Sequence, residues 1–260
     1  KTRQETQGRV CMPGSMARLP PAASGEAVDQ SAASAQGRGM PRLPRTFLGV
    51  LALLALAPAV TLAQTDTAFA DEVLAFATAD AREGLPPANA VLFTGSSSIR
   101  LWQTLGEDFA GTAVINRGFG GSQIKHLIQY FDRIVRPYAP RRIIVYSATN
   151  DISAGRSVDE VMADWATFCG MVRGALPGTS IALISIAPNP ARWAQREAQQ
   201  AFNARAAAYN ARQGHDFIDV WTPMLGDDGL PSRDIYVADQ LHMNAAGYEM
   251  WRGIVGAHLE

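Results

Sequence analysis

Five short runs of apolar residues, each bounded by Gly, Pro or polar turn formers, punctuate the chain from residue 90 onward, at 90–93, 113–115, 142–147, 180–186 and 216–221. They are continuous rather than alternating, which predicts β-strands covered on both faces. Around them the apolar residues fall at helical spacing instead. Phe69, Val73 and Phe76 share one face of a helix over about 67–83, which Gly84 and Pro86-Pro87 end. Ile124, Leu127, Ile128 and Phe131 mark a second helix. Ser157-Val-Asp-Glu160 reads as a capping box, after which Val161, Trp165, Phe168 and Val172 run at helical spacing to the stop at Pro177-Gly178. Residues 193–212 are rich in Ala, Gln and Arg and favour a helix by propensity. Met243, Gly247, Met250, Trp251, Ile254 and Val255 mark the last one. This alternation predicts an α/β fold, a five-stranded parallel sheet between helical layers, with no internal repeat.

The first 63 residues follow another pattern. Residues 1–39 are rich in Gly, Ser, Ala, Pro and Gln without apolar period, which predicts disorder. Then come a basic stretch, Met40-Pro-Arg-Leu-Pro-Arg45, an uncharged apolar stretch from Phe47 to Ala57, and the small residues of Thr61-Leu-Ala63. That order predicts a secretory signal peptide over 40–63, cleaved near Ala63, with Met40 as the start of translation and 1–39 as upstream sequence. A membrane anchor competes with this reading. Its apolar stretch, about 17 residues with Pro58 inside, sits at the lower limit for spanning a bilayer. The expected product is a periplasmic or secreted domain over 64–260 with no stable membrane association.

Composition narrows the function. With 47% apolar and 18% charged residues the chain is not disordered as a whole. A net charge of −1 gives no electrostatic reason to expect a nucleic-acid partner. The average conceals a break: residues 1–63 carry seven basic and three acidic residues, residues 64–260 carry 16 and 21. Two cysteines make neither a disulfide scaffold nor a four-thiolate metal site, and Cys11 lies before the domain, which leaves Cys169 without an internal partner.

The polar residues that stand out lie where the strands end. Gly95-Ser-Ser-Ser98 follows the first strand, Asn116-Arg-Gly-Phe-Gly-Gly121 the second, and Ala148-Thr-Asn-Asp151 the third, while Asp239-Gln-Leu-His242 precedes the last helix. In parallel α/β sheets such loops converge on one edge. A serine hydroxyl becomes a nucleophile only beside a base, and the base benefits from an orienting acid. Of the four histidines, His126 falls in a predicted helix, His215 opens the fifth strand and His258 ends the last helix. His242 lies in a loop three residues after an acid. Each motif also has an ordinary reading: Ser and Gly form turns, Asn150 and Asp151 cap them, and a Ser-rich loop can cradle a phosphate.

Together the four blocks resemble the GDSL/SGNH hydrolases, esterases and lipases with a flavodoxin-like three-layer α/β/α fold. The resemblance spans residues 88–257. It implies Ser97 as nucleophile in a Gly-Ser-Ser-Ser variant of the first block, with Ser96 where the family usually has Asp. It implies His242 as base, Asp239 as its orienting acid, and an oxyanion hole of Ser97, Gly121 and Asn150. Ala148 stands where the family pattern has glycine, a departure that bears on how that loop bends. The chemistry implied is acyl transfer to serine and then to water, with no metal or organic cofactor. Within the family the substrates include simple acyl esters, lipids, thioesters and acetylated sugars. The absence of a long apolar lid favours short acyl esters, and export favours an acetylated glycan. An acyltransferase or a lysophospholipase/thioesterase using the same triad, or a flavodoxin-like phosphate- or glycan-binding module without catalysis, remains the alternative.

Overall fold

The structure is a computed structural model that describes residues 67–260. The expectations for residues 1–39 and 40–63 lie outside the described residues.

Five strands form one all-parallel sheet in the order β2-β1-β3-β4-β5: β1 Val91–Gly95, β2 Val114–Gly118, β3 Arg142–Tyr146, β4 Ser180–Ile184 and β5 Asp216–Ile218. This is the flavodoxin-like strand order, and the fold class expected from the sequence is the one observed. Side chains alternate across the sheet. Leu92, Ile143, Val145, Ile181 and Leu183 enter one core with Val73, Leu127, Trp165, Phe168 and Phe202. These come from helices α1 (Ala70–Glu83), α4 (Ile124–Gln129), α7 (Val158–Ala175) and α8 (Arg196–Gln213). Val91, Phe93, Ile144, Tyr146, Ile184 and Ile218 enter the other core, with Ile99, Leu105, Trp251 and Val255. Those come from α2 (Ser97–Arg100), α3 (Leu105–Asp108) and α9 (Ala245–Gly256). Two short helices, α5 (Phe131–Ile134) and α6 (Thr149–Ser153), complete the described set. A sheet with apolar residues on both faces must be covered twice, hence three layers.

Several boundaries differ from those expected. The strand expected at 113–115 runs on to Gly118, because its polar residues find partners. Arg117 reaches the Asp80 carboxylate at 2.6 Å and the Tyr138 hydroxyl at 2.7 Å, and Asn116 Nδ2 donates to the Ile99 carbonyl at 2.7 Å. The fifth strand stops at Ile218 rather than 221, where Asp219 Oδ1 accepts the Trp221 N–H at 2.9 Å and turns the chain. The helix expected over 193–212 starts at Arg196, after a 3₁₀ turn at Pro190–Gln195. The Ser157–Glu160 capping box forms at the start of α7.

The strand order reverses between β1 and β3: from β1 the chain goes outward to β2 on one side, and from β3 to β4 and β5 on the other. In open α/β sheets the crevice at that reversal, beyond the strand C-termini, is where ligands bind. Gly95 sits at its floor with φ +130°. A Cβ there would lie 1.9 Å from the Tyr146 carbonyl oxygen, so only glycine lets the two strand ends pair.

Candidate active site

The first and last of the four sequence blocks meet. Ser97 and His242, 145 positions apart, come together with Oγ and Nε2 2.9 Å apart. Nδ1 of the same imidazole lies 2.6 Å from Asp239 Oδ2. Local structure explains why this serine, of the three in a row, is the one presented. Ser96 is the N-cap residue of α2, buried, its backbone N–H donating to the Tyr146 carbonyl. Ser98 has its carbonyl tied to the Tyr248 hydroxyl. Ser97, first residue of the helix, faces outward between them.

The imidazole is held by Asp239. The Asp239 carboxylate also accepts the backbone N–H groups of Leu241 and His242, both at 2.9 Å. Burial pushes its pKa upward, but those amides and the imidazole outweigh it and hold the carboxyl down at about 2. It is therefore ionised at neutral pH and accepts the Nδ1 proton, which leaves Nε2 with its lone pair toward Ser97.

The middle blocks form the facing wall. Gly121 (φ +74°) follows β2, and Asn150 lies in α6, directly after β3. Ala148, where a glycine pattern was expected, takes φ +80°, so the bend is glycine-like although the residue is not. Among the described residues the Ser97 and Gly121 amides donate to no protein acceptor. The Asn150 amide is oriented at both ends: Nδ2 donates to the Ser122 carbonyl at 3.0 Å, and Oδ1 accepts from Arg192 Nη1 at 2.9 Å. Its second N–H stays available. Ser97, Gly121, Tyr146, Asn150, Arg192 and His242 line one pocket of about 190 Å³. A larger cavity of about 520 Å³ lies between α1 and the 132–138 segment and shares no residue with it. Its walls hold no serine and no histidine.

Of the five residues singled out in the sequence, Ser97, Gly121, Asn150 and His242 line one pocket, and Asp239 is bonded to His242. Arg192, in the 3₁₀ turn at Pro190–Gln195, lies outside the four sequence blocks and was missed. No sequence pattern announces it, because its partner is 42 positions away. The other histidines are elsewhere. His126 is buried, its Nδ1 accepting the Gln123 N–H at 2.9 Å, and His215 precedes β5. Trp193 stacks on Trp221 with ring centroids 5.9 Å apart, a packing role. Among the described residues no group of three or more His, Cys, Asp or Glu is placed to hold a metal ion, and no helix is long and apolar enough to cross a membrane.

Comparison with known proteins agrees with this fold. A Streptococcus pneumoniae protein described as a platelet activating factor superposes with TM-score 0.65 at 23% identity, over 73% of this chain and 92% of its own. A GDSL-like lipase from Bacteroides thetaiotaomicron gives 0.59 at 21% identity, over 74% and 96%. An acetyl-xylooligosaccharide esterase from Geobacillus stearothermophilus gives 0.56 at 12% identity, over 67% and 95%. No curated protein sequence matches the chain. The profile of the GDSL-like Lipase/Acylhydrolase family matches residues 83–250, most of the chain. The chain belongs to the GDSL-like lipase/acylhydrolase (SGNH) family and is a carboxylic ester hydrolase.

Proposed function

We propose that this hydrolase cleaves short-chain acyl esters through an acyl-serine intermediate on Ser97. The observation that carries the reading is the unbroken relay from Ser97 Oγ to His242 Nε2 and from Nδ1 to Asp239. In the first half-reaction His242 takes the Ser97 proton as Oγ attacks the ester carbonyl. The carbonyl oxygen gains negative charge, received by the N–H groups of Ser97 and Gly121 and by the Asn150 amide. His242 then gives its proton to the departing alcohol. Water repeats the sequence and releases the acid. Asp239 stays ionised throughout and stabilises the imidazolium. Each oxyanion donor acts on charge that exists only in the transition state, and one such donor is worth about 3–4 kcal/mol in a comparable hydrolase.

Pocket size supports a short acyl group. At about 190 Å³ it is smaller than the ~300–1,000 Å³ of ordinary ligand sites. Among natural esters we favour an acetylated carbohydrate. The Geobacillus neighbour acts on acetylated xylooligosaccharides, and the signal-peptide pattern over 40–63 puts the domain outside the cytoplasm in our reading. N-terminal sequencing of protein recovered from the periplasm or medium is expected to begin at or near Gln64. A chain retained in the membrane with residues 47–57 intact argues for the anchor instead.

The test is a p-nitrophenyl ester series from acetate upward, on wild type and Ser97→Ala. Turnover should be highest for the shortest esters and fall by several orders of magnitude in the variant, with the melting temperature unchanged. A preference for long chains contradicts the acyl-length reading. Activity that survives Ser97→Ala contradicts the nucleophile.

A further inference from the structure

We infer that Arg192 is a positioning residue for the oxyanion hole: it fixes which face of the Asn150 amide looks into the pocket. The inference rests on the Ser97 reading above and adds a role to a side chain outside the four sequence blocks.

An asparagine amide has two nearly isosteric ends, and only its NH₂ stabilises an oxyanion. Asn150 is pinned so that one N–H is left for the pocket. Arg192 Nη1 donates to Oδ1 at 2.9 Å, and the Ser122 carbonyl accepts one Nδ2 proton at 3.0 Å. Turned over, the amide would set its NH₂ against a guanidinium and its oxygen against a carbonyl, losing both bonds. Arg192 Nη1 also donates to the Thr149 hydroxyl at 3.3 Å, so the guanidinium spans the first turn of α6. A cation on Oδ1 draws electron density through the amide and strengthens the remaining N–H as a donor.

The loop that carries Arg192 is braced for this task. Its backbone N–H donates to Asn189 Oδ1 at 2.9 Å, and the Tyr236 hydroxyl donates to the Pro188 carbonyl. The neighbouring Ala191 N–H donates to the Gln240 carbonyl at 3.1 Å, inside the loop that holds Asp239 and His242. One short segment therefore links the base to the oxyanion amide. Arg192 is only partly exposed, and no carboxylate among the described residues neutralises it. A partly desolvated cation without an anionic partner is costly in the resting protein. The negative charge that gathers at the oxyanion during turnover offsets that cost.

A double-mutant cycle tests the assignment. Arg192→Met should lower kcat about 10- to 100-fold on p-nitrophenyl acetate with KM within about threefold, since a misaligned donor forfeits part of its ~10²–10³. Arg192→Lys should recover at least about fivefold of the loss. In an Asn150→Ala background, Arg192→Met should cost less than about threefold more, because the group it orients is gone. A loss that falls on KM, or that is fully additive with Asn150→Ala, overturns the proposal and makes Arg192 a direct substrate contact. Unchanged kcat in Arg192→Met overturns it too. Should that variant not fold, Arg192→Gln takes its place in the cycle. Ser97→Ala, run alongside, separates the two readings. If it is inactive while the cycle shows no coupling, only the Arg192 proposal falls. If it is active, the site reading falls and the proposal with it.

Discussion

Asp151 follows Asn150 and has no exposed surface. Its carboxylate accepts the Ile124 N–H at 3.2 and 3.3 Å, at the start of α4, and the Arg156 guanidinium at 2.9 Å. It therefore ties the Gly121 loop to the Asn150 helix. Burial pushes its pKa up to about 6, against the pull of those donors. Between about pH 4 and about pH 6 the folded protein keeps a proton that the unfolded chain has lost. The stabilising contribution is complete below about pH 4 and disappears as the pH rises through about 6. Asp151→Asn should abolish that dependence. In denaturant titrations, wild type should lose on the order of 2–3 kcal/mol relative to the variant as the pH rises across this window. Parallel stability curves would contradict it. The sequence marked Asp151 as a turn former beside Asn150, but nothing in it shows that the carboxylate is buried, since the partner amide is 27 positions away.

At the scale of the element, α1 does more than cover the sheet. Most of it precedes residue 83, where the family match begins. Glu72 Oε2 accepts the Gly120 N–H at 3.0 Å and lies 3.8 Å from Arg100 Nε. Phe69, just before the helix, packs edge-on against Phe119 and His126 at 5.4 and 4.9 Å between centroids. Helix and ring together hold the loop that carries Gly121. Glu72→Ala should lower stability by about 1 kcal/mol, the scale of one partly exposed hydrogen bond. It should also reduce kcat several-fold with KM little changed. A raised KM at constant kcat would mean that α1 contacts substrate instead. The helical period of Phe69, Val73 and Phe76 made α1 legible in the sequence. Its grip on the Gly121 loop was not, because Glu72 looks like any acidic residue in a first helical turn.

For the whole molecule, the strands were legible because burial on both faces leaves uninterrupted apolar runs such as Ile143–Val145. Their ends were less so. Arg117 stays in β2 only because Asp80 and Tyr138, from two separate segments, satisfy it. The same division holds for the site. Ser97 opens the helix that follows β1, and Asp239 and His242 lie in the loop before α9, segments the sequence blocks marked, whereas Arg192 depends on a three-dimensional contact that no spacing encodes. The two cores lie on opposite faces of the sheet, and Trp251 is fully buried in one of them, its Nε1 donating to Met224 Sδ at 3.2 Å. Trp251→Ala should cost about 3–5 kcal/mol of unfolding free energy, read from chemical denaturation. A loss below about 1 kcal/mol would mean that this core repacks freely.

The account turns on one hydroxyl made reactive by one imidazole, and a fluorophosphonate ester reports that reactivity directly. Peptide mass spectrometry of the labelled protein should place a single phosphonyl adduct on Ser97. The adduct should be absent from His242→Ala, while Ser96→Ala and Ser98→Ala remain labelled. An adduct on Ser96 or Ser98, or undiminished labelling of Ser97 without the histidine, would contradict the account.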